Sequence, residues 1–149
     1  MSKNRDKKTN ALLGEICSIV DANPDAEFPI TMVVSGQIIT GTIISESGYY
    51  KLPENKVLND IYTPIKEEKL KYFDEFNNFN NPDISEAEIL DIPDDLWQRF
   101  IYLKNARYFS GNTFIPSENN SGIAIQVRAS DVSAFNVSTF SAVNNDSGD

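Results

Sequence analysis

The sequence predicts an α+β, mainly β domain: a strongly bent antiparallel small barrel with an N-terminal helix and an inserted helical segment. Three observations carry this reading. Residues Phe28 to Leu52, FPITMVVSGQIITGTIISESGYYKL, show short β-branched runs punctuated by Gly36, Gly41 and Gly48. Residues Ile123 to Val137 repeat the pattern as strand, tight turn, strand. Between them, from about 53 to 96, the alternation fails and acidic helix-forming residues take over.

In chain order, Ala11 to Val20 predicts a short amphipathic helix. Leu12, Leu13, Ile16, Ile19 and Val20 form its apolar stripe, and Asn10 is its N-cap. Asn23-Pro24 ends it, because the residue before proline is pushed out of the helical region. Ile30, Met32 and Val34 then alternate with Thr31 and Val33, the period of a strand. Ser35-Gly36 supplies a turn. The next strand, Gln37 to Ser45, carries Gly41 in its middle, a position that marks a bend or a close backbone approach. Glu46-Ser47-Gly48 reads as a second turn, with Tyr49-Tyr50-Lys51-Leu52 opening a third strand.

In the inserted segment, Thr63-Pro64 reads as N-cap and first residue of a helix, with Ile65, Tyr72, Phe76 and Phe79 along one side. Ser85-Glu86-Ala87-Glu88 has capping-box spacing, and Pro93 limits the helix that follows. Trp97, just before the strands resume, reads as a core plug. Phe100/Tyr102 and Ile101/Leu103 take opposite faces of a strand that continues past Asn105 to Phe109. Ser110-Gly111-Asn112 turns the chain. Ala129-Ser130-Asp131 suits a 3₁₀ turn between the last two strands. The expected organisation is a flexible basic tail at 1–10, one small-barrel domain at 11–139 and a flexible acidic tail at 140–149.

Composition excludes more than it selects. The chain of 149 residues is long enough for one core, and its single cysteine, Cys17, allows no internal disulfide. It has no run of membrane-spanning length, and MSKNRDKKTN lacks the apolar stretch of a signal peptide, so a cytoplasmic location is expected. The net charge of −9 combines +3 in residues 1–8 with −12 over the rest. Between Glu54 and Asp95, twelve acids face four bases. Such a surface disfavours nucleic acid and anionic membranes. Histidine is absent, which removes the commonest general base and transition-metal ligand. No phosphate-binding loop or nucleophile elbow is present, and Asp91, Asp94 and Asp95 lack the spacing of a calcium loop. No enzyme activity, cofactor or metal is expected.

The order of elements resembles the Sm-like small barrel, a relative of the SH3-like fold, with ITMVVSGQIITGTIISESGYY as the first half and IAIQVRASDVSAF as the second. More narrowly, VVSGQIITGTIIS, FIYLKNARYF, FIP and VRASDVSAFNV resemble the gas vesicle accessory protein U family over roughly residues 28–52 and 99–138. That resemblance implies a non-catalytic accessory or scaffolding protein working through protein–protein contacts in gas vesicle formation or organisation. The second reading is an Sm-like RNA binder. Tyr49 and Tyr50 would then stack on bases, with Lys51 and Arg128 on phosphate. The Asn and Gly of the RNA-reading Sm pattern are missing here, where Ser47-Gly48-Tyr49-Tyr50-Lys51 and Arg128-Ala129 stand. Open barrels leave edge strands that invite pairing, so a homo-oligomer is expected through Ile125, Val127, Val132 and Phe135. The acidic insertion, repelling copies of itself, is expected at the periphery.

Overall fold

The computed structural model describes residues 9–75, 78, 79, 83 and 85–138. Residues 1–8 of the expected basic tail at 1–10, the expected acidic tail at 140–149, and Phe76 lie outside them. Helix α1 (Ala11–Ala22) is followed by strands β1 (Phe28–Val34) and β2 (Gln37–Ile44). Helices α2 (Glu46–Lys51), α3 (Lys56–Lys69), α4 (Glu86–Asp91) and α5 (Asp94–Trp97) come next. Strands β3 (Phe100–Ser110), β4 (Thr113–Ile115), β5 (Ile123–Arg128) and β6 (Val132–Asn136) complete the chain.

The strands form one six-stranded antiparallel sheet, β4-β3-β2-β1-β6, with β5 paired to β3 beside β4. The hydrogen-bonded ladder does not close into the expected barrel. Among the described residues no pairing joins β5 to β6, and a 3₁₀ turn at Ala129–Asp131 connects them. The sheet is nonetheless strongly irregular. Its ladder shifts register between Thr40 and Thr42, opposite Asn105 (φ 53°). A bulge of this kind increases local twist and bend. Gly41 sits at the bend, where an added Cβ would lie 3.2 Å from the Cα and Cβ of Ala106. Ser35 and Gly36 both take positive φ (52° and 80°), as a two-residue hairpin turn matched to strand twist requires.

Helix α1 starts as its sequence dictates, with Asn10 Oδ1 accepting from the N–H groups of Leu12 (2.9 Å) and Leu13 (3.2 Å). Its stripe is narrower than expected. Leu13, Ile16, Cys17 and Val20 pack on Ile30, Met32, Ile43, Ile101 and Leu103, while Leu12 and Ile19 stay exposed. The period-two alternation of β3 sends Ile101 and Leu103 to this main core. It sends Phe100 and Tyr102 to a separate aromatic cluster with Ile44, Tyr49 and Tyr50. A third cluster forms around Phe73, Ile89, Ile92, Leu96 and Trp97, so Trp97 is the packed plug its position suggested. The capping box at Ser85 and Glu88 is formed.

Two elements differ from expectation. Tyr49-Tyr50-Lys51 is helical, because the Ser45 hydroxyl accepts from Gly48 N–H (3.0 Å) and caps α2. The next helix begins at Lys56, not at Pro64, after a 3₁₀ turn at Pro53–Asn55. Thr63 is interior to it, and its hydroxyl donates to the Asn59 carbonyl (2.8 Å) one turn back. Pro64 is thus carried inside α3 despite its missing N–H.

Candidate functional site

The most unusual chemistry lies where α2, α3 and β3 meet. Ser45 caps α2, which places Glu46 in the first helical turn, and the carboxylate points inward with only 3% of the residue exposed. Its Oε1 accepts from Lys66 Nζ (2.6 Å). Its Oε2 accepts from Lys69 Nζ (2.8 Å), Tyr62 Oη (2.7 Å) and Tyr102 Oη (3.1 Å). Tyr62, Lys66 and Lys69 lie four and three residues apart, so one face of α3 delivers all three groups. The alternation of β3 delivers Tyr102. The N–H of Glu46 donates to Asp21 Oδ1 at 3.4 Å, and Asp21 lies 3.9 Å from Arg99, which ties the cluster to α1.

Electrostatics follow from this geometry. Burial alone would raise the Glu46 carboxyl, but the adjacent charges and hydrogen bonds of Lys69 and Lys66 outweigh it and hold the group at about 2. Burial, followed by the charge of Glu46, pushes Tyr50 up to about 12 and Tyr102 well above the usual phenol range. Burial raises Tyr49 as well. Each pKa moves away from neutral pH, the opposite of what acid–base catalysis needs. The cluster is a pin that locks α3 onto α2 and β3.

Two clefts flank the pin. One of about 270 Å³ opens between α2 and α3, beside Glu46, Lys51, Asn59 and Lys66; another of about 420 Å³ runs over Lys69, Leu96, Phe100 and Tyr102. Tyr50 and Tyr62, stacked with ring centroids 4.2 Å apart and planes at 8°, line both.

The pin has a consequence for the rest of α3. The side chains this helix turns inward are Tyr62, Lys66 and Lys69, and all of its aliphatic residues remain outside. Val57 is 70% exposed, Ile61 60%, Ile65 47% and Leu58 41%. A surface helix ordinarily buries its apolar stripe and solvates its polar one. Here a carboxylate in the interior recruits the polar stripe, and a contiguous apolar face is left on the surface.

The residues that sequence reasoning singled out are distributed differently. Tyr49 and Tyr50 are buried among Ile44 and Tyr102, so neither offers a free ring face to a base; this corrects their assignment as stacking platforms. Lys51 is exposed at the end of α2, and Arg128, also exposed, lies 3.8 Å from Asp131. Val127 points into the main core at 7% exposure and is not available to a neighbouring subunit. Ile125, Val132 and Phe135 are half-buried against the same core. Glu46, Tyr62, Lys66, Lys69 and Tyr102 were not singled out. The only local signal was the spacing of Tyr62, Lys66 and Lys69, which is legible only once the helix is known to begin at Lys56.

Among the described residues no helix is long and apolar enough to cross a membrane, and no group of three or more acidic or cysteine side chains could hold a metal ion. Comparison with curated proteins and with solved structures yields no match. The profile of one family, described as gas vesicle protein GvpU-like, matches residues 10–140. That span takes in α1, the inserted helices with the Glu46 pin, and every strand, and on it the chain belongs to the GvpU-like family of gas vesicle proteins.

Proposed function

We propose that this protein is a non-catalytic accessory factor of gas vesicle formation or organisation, working in the cytoplasm through protein–protein contacts on an Sm-like bent sheet. The observation that carries the reading is the inverted helix α3. Four aliphatic side chains are held in water by a buried ion cluster that fixes the orientation of the helix. An apolar patch this concentrated marks an interaction surface. The strand order supports the Sm-like part: β6 returns to β1, β5 pairs with β3, and a three-residue turn links β5 and β6. RNA binding is the weaker reading, because the tyrosines it needs are interior and the net charge is −9.

The test is genetic. In a host that makes gas vesicles, the gene is deleted and complemented with wild type or with Ile61→Glu, and vesicle yield, size and arrangement are scored by electron microscopy. The deletion is expected to change one of these, and Ile61→Glu is expected to fail in restoring it while accumulating as folded protein. A deletion without effect, or full rescue by Ile61→Glu, overturns the proposal.

A further inference from the structure

We infer that the exposed face of α3 is covered by α3 of a second copy of this chain, packed antiparallel about a two-fold axis passing between Ile61 and Tyr62. The inference rests on reading α3 as a contact surface and goes beyond it by naming the occupant.

Three features of α3 point to itself. First, its net charge is small. Lys56, Lys66 and Lys69 stand against Asp60, Glu67, Glu68 and the Glu46 that the two inward lysines hold, a net of −1, so the repulsion expected of the acidic insertion is weak along this helix. The negative charge of the insertion is concentrated elsewhere, in 74–95, where eight acids stand without a lysine or arginine. The expectation that the whole insertion lies at the periphery is therefore not a constraint on α3.

Second, the exposed charges are placed against the helix's own dipole. Lys56 is its first residue, at the positive end, and Glu67 and Glu68 fall in its last turn, at the negative end. An antiparallel neighbour reverses both relations, setting Lys56 beside the partner's C-terminal end and the two glutamates beside its N-terminal end. Third, the register is self-complementary. Lys56, Asp60, Thr63 and Glu67 share one flank of the apolar stripe at helical spacing. In an antiparallel pair the same flanks meet, so the proposed axis sets Lys56 opposite the partner's Glu67 and repeats that pair by symmetry. The same operation sets Leu58 against the partner's Ile65 and joins the two Ile61 side chains at the centre. The patch is a single helix face of 14 residues, smaller than a standard protein interface, so dissociation on the order of micromolar is expected.

The experiment is sedimentation velocity on the full chain from well below to well above micromolar concentration. The expected result is a reversible shift from one subunit of 16.7 kDa to a dimer of twice that mass. Ile61→Glu is expected to weaken association by about 100-fold or more. Lys56→Glu and Glu67→Lys are each expected to weaken it, and the two changes together to restore it, which only facing of these two positions explains. All three positions are exposed, and an unchanged far-ultraviolet spectrum and Trp97 emission confirm that each variant is folded. A monomer at every concentration, a higher oligomer, or failure of the double variant to restore association overturns the inference. So does a dimer that ignores Ile61→Glu and is broken by Val132→Lys, which would place the contact on the β6 edge. If the protein is monomeric while Ile61→Glu still fails to rescue vesicle formation, the occupant is a different protein, and the accessory function survives the loss of this inference.

Discussion

Replacing Glu46 with glutamine keeps the size and shape of the side chain and removes one charge from the centre of the pin. Tyr62 and Tyr102 retain an oxygen to donate to, but Lys69, buried at the base of α3, and the partly buried Lys66 lose their counter-charge. Removing one partner of a buried ion pair costs about 3–5 kcal/mol, chiefly because the other charge stays behind in poor solvent. An independent route gives a similar figure. A carboxyl that folding carries from 4.5 to about 2 contributes about 3 kcal/mol of stability at neutral pH.

The direction of the pH dependence follows from the same shift. The unfolded carboxyl takes up a proton near 4.5 and the folded one only near 2, so the contribution is fully present above 4.5. It is lost as pH falls from there toward 2. Urea melts of wild type and Glu46→Gln, followed by the emission of the single tryptophan, Trp97, would measure it. The two stabilities should differ by about 3 kcal/mol at pH 7. The gap should narrow steadily between pH 5 and pH 2. Comparing the two proteins at each pH cancels the effect of the other carboxylates. A gap below about 1 kcal/mol at pH 7, the worth of a surface pair, would refute the claim that a buried carboxylate organises α3.

Three further outcomes are expected. Gly41→Val should lose roughly 1–3 kcal/mol in denaturant melts, since its Cβ would press on Ala106 at 3.2 Å and the added methyls have less room still; an unchanged midpoint would show that β2 and β3 do not approach closely there. Gly122→Ala should lose more, roughly 2–4 kcal/mol, because the new Cβ would stand 2.5–2.7 Å from the backbone of Asn105 and would break the 3.0 Å bond from Gly122 N–H to Asn105 Oδ1. A smaller loss than for Gly41→Val would contradict that ranking. Labelled oligo-U and oligo-A should show no sub-micromolar binding by fluorescence anisotropy at physiological salt, given the net charge and the interior tyrosines, and tight binding would restore the RNA reading.

Much of this protein was determined by its sequence alone, wherever the signal is carried by neighbours in the chain. Asn10 before an apolar stripe, Ser35-Gly36 between two alternating runs, the Ser85–Glu88 box and the 3₁₀ turn at Ala129–Asp131 all form as their local patterns require. So does the placement of Ile101 and Leu103 on one face and Tyr102 on the other. The resemblance to the gas vesicle family was read from short strand and turn patterns at 28–52 and 99–138, and the family match spans residues 10–140.

Tertiary structure decided the region from Glu46 to Lys69. Tyr49-Tyr50-Lys51 has the composition of a strand, and its intrinsic preference is overridden by the Ser45 cap and by aromatic packing on Tyr62 and Tyr102. Glu46 finds Lys66 and Lys69 at separations of 20 and 23 residues, beyond the reach of any periodicity. A local reading of α3 assigns the aliphatic stripe to the interior, because burying apolar surface is the ordinary driving force. A buried carboxylate in need of counter-charge reverses that choice: it takes the lysines inward and leaves the aliphatic face of α3 for a partner.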